Sequence, residues 1–295
     1  MRLFLFTCLL ALTGPVMADA LKIATLYPPG SLPLQQLQLA SNRLKERTDG
    51  RLSLQLYPGG VMGDDATVLR KVRIGQLHGA LVSASTLSSL GVDATDLSQP
   101  FQFATLDAVL EQRKQFDPEV RQRLDDQGWL GFGPIDGGFS YLMSQNPVSS
   151  LQNLKSQRLW LPNTDDVRKM SQALSIDYQI MGIGDVLPAL QTGALNSIVA
   201  PPSAALTLNW HSRVDYLTDQ PVVYTWGMLV LAQRSLRGIS EPDRQVLSEV
   251  LSEWADELDA AMLASNMQAN RAIRQLLTQV DFSSSDLADI QAGIH

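Results

Sequence analysis

Residues 240–279 read as one helix of about forty residues, and a rod of that length restricts the fold more than any other stretch. Ser240 stands three residues before Asp243 with Pro242 in the first turn, a strong helix start. At 1.5 Å per residue such a helix runs about 60 Å, longer than one compact domain is wide. It must kink or bridge two domains. A chain of 295 residues is also long for a single core.

The remainder alternates strand and helix. Residues 21–26 form a strand pattern stopped by Pro28, Pro29 and Gly30. Leu34, Leu37, Leu39 and Leu44 then recur at helical spacing as far as Asp49-Gly50. Residues 52–56 alternate as a half-buried strand, a helix covers about 64–74, and the short apolar run 79–82 suits a buried strand. A second unit begins near Val148, with strands at 158–161, 178–181 and 195–199 and helices around 165–173 and 186–192. This order predicts two α/β domains with largely parallel sheets.

The N-terminus predicts export. Met1-Arg2 precedes the apolar run 3–12, and Val16-Met17-Ala18 gives a small-residue cleavage pattern, with Ala20 the second choice. The run is too short to span a bilayer, and no later stretch approaches the ~20 apolar residues a spanning helix needs. Cys8, the only cysteine, lies inside the signal, so the exported chain has no disulfide, thiolate metal site or cysteine nucleophile. Cleavage leaves 22 basic against 30 acidic residues, a net charge of −8. With no basic run, that argues against nucleic acid and against anionic lipid. The expected location is the periplasm.

Catalytic and cofactor signals are missing. His78, His211 and His295 have no ligand partner at helical spacing, which disfavours zinc. No GxSxG elbow, phosphate loop or dinucleotide fingerprint occurs. Gly59-Gly60 and Gly137-Gly138 read as turns. Asp64 and Asp65 suit a helix start, where their charge favours the dipole. No enzyme and no cofactor is expected.

Five segments in order carry a resemblance. They are LSLQLYPGGVMGDD after Asp49-Gly50-Arg51, LRKVRIGQLHGALVSASTLS, Pro100-Phe101-Gln102-Phe103, DGGFSYLMSQNPVSSLQNLKSQRLWLPN, and IMGIGDVLPALQTGALNSIVAPP. Together they resemble the DctP-type periplasmic solute-binding proteins of TRAP (tripartite ATP-independent periplasmic) transporters across nearly the whole mature chain. The resemblance implies an α/β two-domain flytrap with crossing strands and a long hinge helix, closing on a small ligand. It also implies delivery to a small and a large membrane subunit. The implied division is a signal at 1–18, a first domain of 19–137 with 222–262, and a second of 138–221 with 263–295.

The chain departs from that family where the family grips its ligand. The resemblance puts Trp160 where an arginine usually clamps a carboxylate, a task suited to a guanidinium fork. Arg158 takes the place of a lysine and shares a strand face with Trp160. Ser140 replaces a supporting arginine, while Val199 and Ala200 replace a carboxylate and an amide. A pocket without its clamp favours a ligand with apolar surface. Trp160 is the expected platform, with Tyr27, Phe139, Trp210 and Trp226 as neighbours. Asp136, Tyr27 and Asn163 are the expected polar partners at the cleft mouth, and Trp129 and Trp254 are packing residues. Trp160 with Pro201-Pro202 also resembles a minority branch associated with a TPR-repeat partner. Two alternatives stay open, a carboxylate ligand held by Arg158 and a periplasmic ligand sensor. Family members usually continue beyond a segment like 286–293, so this ending reads as a short branch or a truncation.

Overall fold

The computed structural model describes residues 19–161 and 165–294. The expected signal segment, Asn163 and His295 lie outside the described residues. The first lobe opens with β1 (Asp19–Thr25), α1 (Leu32–Arg47), β2 (Leu52–Tyr57), α2 (Asp65–Arg73) and β3 (Gly79–Ser83). β1 lies between β2 and β3, parallel to both, with Ile23 opposite Leu56 and Gly79. α2 starts as its sequence implies. The Asp64 side chain accepts from the Thr67 N–H at 2.9 Å, and the Thr67 side chain, followed by that backbone bond, holds its carboxyl below the usual range.

α3 (Leu106–Asp126) follows, and then β4 (Trp129–Ser144), a strand long enough to serve both lobes. The second lobe contains α4 (Leu151–Lys155), β5 (Leu159–Trp160), α5 (Asp165–Leu174), β6 (Tyr178–Gln179), α6 (Ile183–Thr192), β7 (Ser197–Ala200), α7 (Pro202–Thr207) and β8 (Tyr216–Thr218). β9 (Val223–Ala232) returns beside β4, α8 (Glu241–Leu276) runs back across, and β10 (Thr278–Val280) and α9 (Ser284–Ile294) finish the chain. The sheet order is β2-β1-β3-β9-β4-β7-β5-β6, with β8 and β10 at the side.

β4 and β9 are the crossing strands. They pair antiparallel from Trp129–Ala232 to Ser140–Val223, and β4 then pairs with β7 from Tyr141–Ala200. The register shifts between Asp136 and Gly138, so Gly137 and Gly138 lie in a bulge of β4 rather than in a turn. Both need to be glycine. A Cβ on Gly137 would meet Thr225 Oγ1 at 2.7 Å, and Gly138 has φ +80° with Asn266 of α8 only 3.0 Å from such a Cβ.

Each lobe buries apolar residues on both faces of its part of the sheet. In the first lobe Val68, Val72, Phe116 and Trp226 cover one face, and Leu37, Leu44, Trp254 and Leu258 the other. In the second, Trp160, Leu190, Trp210 and Ile273 oppose Leu142, Leu159, Leu174 and Ile290. α8 belongs to both lobes. Leu247, Leu251, Trp254 and Leu258 bury against the first lobe, and Ile273 against the second. No residue from 259 to 268 is buried, so the apolar stripe stops where the helix crosses between them.

Candidate functional site between the lobes

That break in the stripe coincides with a groove of about 280 Å³. The groove has three sides. β4 supplies the floor with Asp136, Phe139 and Tyr141, α8 one wall with Leu263, Asn266, Met267, Asn270 and Arg271. Residues 104–106 of the first lobe and Pro201-Pro202 of the second supply the remainder. Two larger depressions, of about 590 and 570 Å³, lie away from the lobe junction beside Arg168 and beside Arg73. The groove between the lobes has the mixture of apolar lining and few polar groups that small-molecule sites show.

Aromatic rings make up the floor. Phe139 is half-buried and meets Tyr224 edge-on at 5.5 Å and Tyr141 at 6.5 Å. It packs against the cores of both lobes. The Tyr141 ring is covered by the Arg274 guanidinium at 5.5 Å, and Asp219 pairs with the same arginine.

Asp136 lies at the floor rather than at the mouth, only 1 % exposed. Its Oδ1 accepts from the Tyr224 hydroxyl at 2.6 Å, and its Oδ2 from Asn266 Nδ2 at 2.7 Å. Its backbone N–H donates to Asp259 Oδ1 at 2.7 Å. Arg113 of α3 reaches the same place, donating to Asp117 at 3.0 Å, to Asp259 at 3.0 Å and to the Pro134 carbonyl at 3.0 Å. One guanidinium thus faces three carboxylates where α3, β4 and α8 meet. Burial pushes the Asp136 and Asp117 carboxyls above the usual range, although hydrogen bonds to Asp136 and Arg113 beside Asp117 pull the other way. Burial also raises the Tyr224 phenol, with Asp136 adding to the effect. Tyr27 is half-buried, and its phenol is raised by burial, then by the charges of Asp136 and Asp65. It packs against the first-lobe core and does not line the groove, so it stands away from the cleft-mouth position expected of it.

The other expected site residues fall elsewhere. Trp160 is 6 % exposed, stacks edge-on against Trp210 at 5.3 Å, and donates from Nε1 to the Met181 carbonyl at 3.3 Å. Both tryptophans belong to the second-lobe core and do not line the groove. Ala200 is buried beside Tyr141 in the β4–β7 ladder. Arg158 is exposed, with its Nε donating to the Gly193 carbonyl at 2.8 Å. Trp226 packs edge-on against Phe116 in the first lobe. Asn163 lies outside the described residues. Tyr141 and the α8 wall were not anticipated. Leu263, Met267, Asn270 and Arg271 recur at helical spacing, but they mix residue types, so no apolar or charged stripe marks them.

Comparison with known proteins bears on this geometry. The family model described as bacterial extracellular solute-binding protein, family 7, matches residues 23–295. A C4-dicarboxylate-binding periplasmic protein of Rhodobacter capsulatus is 20 % identical over 269 residues, 90 % of this chain and 81 % of its own length. A TRAP periplasmic solute-binding protein of Citrobacter koseri with bound D-glucuronate superposes with a TM-score of 0.80 at 18 % identity, covering 94 % of this chain and 93 % of its own. An extracytoplasmic solute receptor of Bordetella pertussis that binds pyroglutamic acid gives 0.81 at 17 % identity, covering 94 % and 92 %. These two likenesses show the shared fold.

Proposed function

The chain belongs to the bacterial extracellular solute-binding protein family 7, as a TRAP-type periplasmic binding protein, and we propose that its ligand is richer in apolar surface than its relatives' acids. Members of this family bind solutes and catalyse no reaction. On this reading the groove beside β4 and α8 captures the solute and presents it to a small and a large TRAP membrane subunit. The lobes would divide at 137/138, 221/222 and 262/263, and residues 1–18 would serve as the cleavable export signal.

One observation carries the ligand class. Phe139 and Tyr141 make an aromatic groove floor, while the places where the family resemblance expects charged or amide grips hold Trp160, Ser140, Val199 and Ala200, all buried and outside the groove lining. The same set supports assignment to the minority branch with tryptophan in the arginine's place, and a TPR-repeat protein as a further partner. Arg158 is held at the strand's start by the Gly193 carbonyl, a poor position from which to replace the clamp.

A thermal-shift screen tests this. A ligand at 100 times its Kd adds ~2.7 kcal/mol of stability. Aromatic and branched aliphatic compounds are expected to raise Tm, and sugar acids and C4 dicarboxylates to leave it unchanged. Stabilisation by sugar acids that disappears in Arg158→Ala would overturn the apolar reading.

A further inference from the structure

The groove ends in a cation that no acid among the described residues neutralises, and we infer that its ligand is a small amphipathic carboxylate whose head pairs with Arg271. The inference rests on the solute-binding role proposed for this groove. α8 presents Leu263, Asn266, Met267, Asn270 and Arg271 along one face, at steps of three and four residues. Asn266 holds Asp136 at one end of that face. Arg271 stands five residues further, about 7.5 Å along the helix axis. The groove wall is therefore polarised, with a buried carboxylate at the first-lobe end and a guanidinium at the second-lobe end.

Arg271 differs from its neighbours in having no acid partner among the described residues. Arg274 is taken by Asp219, and Arg113 by Asp117 and Asp259. Arg271 is exposed, and among the described residues no carboxylate or carbonyl engages it. A carboxylate head entering the groove finds both Asp136 oxygens already taken by Tyr224 and Asn266, and is drawn to Arg271, whose fork can hold both its oxygens. The body then lies on Phe139, Tyr141 and the Pro201-Pro202 edge. A volume of about 280 Å³ is at the small end for ligand sites and limits that body to about one ring or a short branched chain. The hinge helix would thus supply a grip that the β5 position, filled by Trp160, does not.

Calorimetric titration of the mature protein with benzoate, phenylacetate and 4-methylpentanoate, each beside its neutral amide, tests the inference. The expected result is binding of at least one acid, with its amide at least tenfold weaker. Arg271→Ala lowers affinity for that acid at least tenfold, leaves its amide unchanged, and Arg271→Lys restores part of the loss. Arg158→Ala changes nothing. An amide that binds as well as its acid, or an Arg271→Ala variant with unaltered acid affinity, overturns the carboxylate clamp and leaves the apolar groove standing. If no acid and no amide binds, the apolar-groove reading fails, and this inference with it.

Discussion

Arg113→Met is expected to destabilise the unliganded protein by about 3–5 kcal/mol, the usual cost of removing one partner from a buried charge cluster. The arginine is 7 % exposed and ties α3 to β4 and α8 through Asp117, Asp259 and the Pro134 carbonyl. Without it three carboxylates face one another with only the neutral donors Tyr224 and Asn266 to hold Asp136. The fall in Tm is on the order of 10 °C. The loss also depends on pH. The Asp117 and Asp136 carboxyls already stand above their ordinary value in the folded protein, so the folded state takes up protons before the unfolded chain does. Their ionisation costs stability, a cost fully present above the folded pKa and relieved as pH falls toward the unfolded value. Removing Arg113 raises both further. The gap between variant and parent is therefore widest at neutral pH and narrows on acidification. Urea titrations at pH 7.5 and pH 5 check this, and a gap that widens at pH 5 would contradict it.

Trp254→Ala is expected to cost a similar about 3–5 kcal/mol, for a different reason. Trp254 is fully buried between α8 and the core of the first lobe, where Leu37 and Leu44 of α1 and Leu258 belong to the same cluster. Truncation leaves a cavity between rigid helices that cannot collapse onto it. Its Nε1 is buried without an acceptor, so Trp254→Phe removes an unsatisfied donor along with part of the ring system. The phenylalanine variant should lose less than half as much. Chemical denaturation of the two variants side by side decides the point, since equal losses would mean that the indole N–H has an acceptor after all.

The parts of the fold that could be read from sequence were those with local signals. The hinge helix was foreseen at 240–279 and runs from Glu241 to Leu276, bridging the lobes, because Ser240 caps it through the Asp243 N–H and its apolar spacing is regular. The β1-α1-β2-α2 order is legible for the same reason, each of these elements being followed by glycine or proline, and β3 by its short apolar run. α3 was not legible. Its buried positions are Val109, Arg113, Phe116, Val120 and Leu124, and a charged residue in the second of them breaks the apolar period. β5 and β6 fall inside the strand patterns at 158–161 and 178–181 but are only two residues each, because β5 pairs with β7 and β6 with β5 over just two positions. Gly137-Gly138 has turn composition but sits in a strand bulge, since the close approach of Thr225 and Asn266 demands glycine there.

The site divides along the same line. Asp136 and Phe139 could be named from their place on the crossing strand, and both line the groove. The resemblance makes Trp160 the cleft platform with Trp210 as a neighbour, whereas the two pack on each other inside the second lobe. Which side of the sheet a ring faces depends on partners far away in sequence. The α8 wall was invisible because a helix face of leucine, methionine, asparagine and arginine resembles ordinary surface until the two lobes are placed on either side of it.

The most direct measurement is a crystal structure of the protein with the compound that stabilises it most. The account predicts density for that compound in the interdomain groove, with its apolar body against Phe139 and Tyr141 and the α8 wall beside it. A ligand bound instead at the rim, in contact with Arg158 and clear of Phe139 and Tyr141, would contradict it.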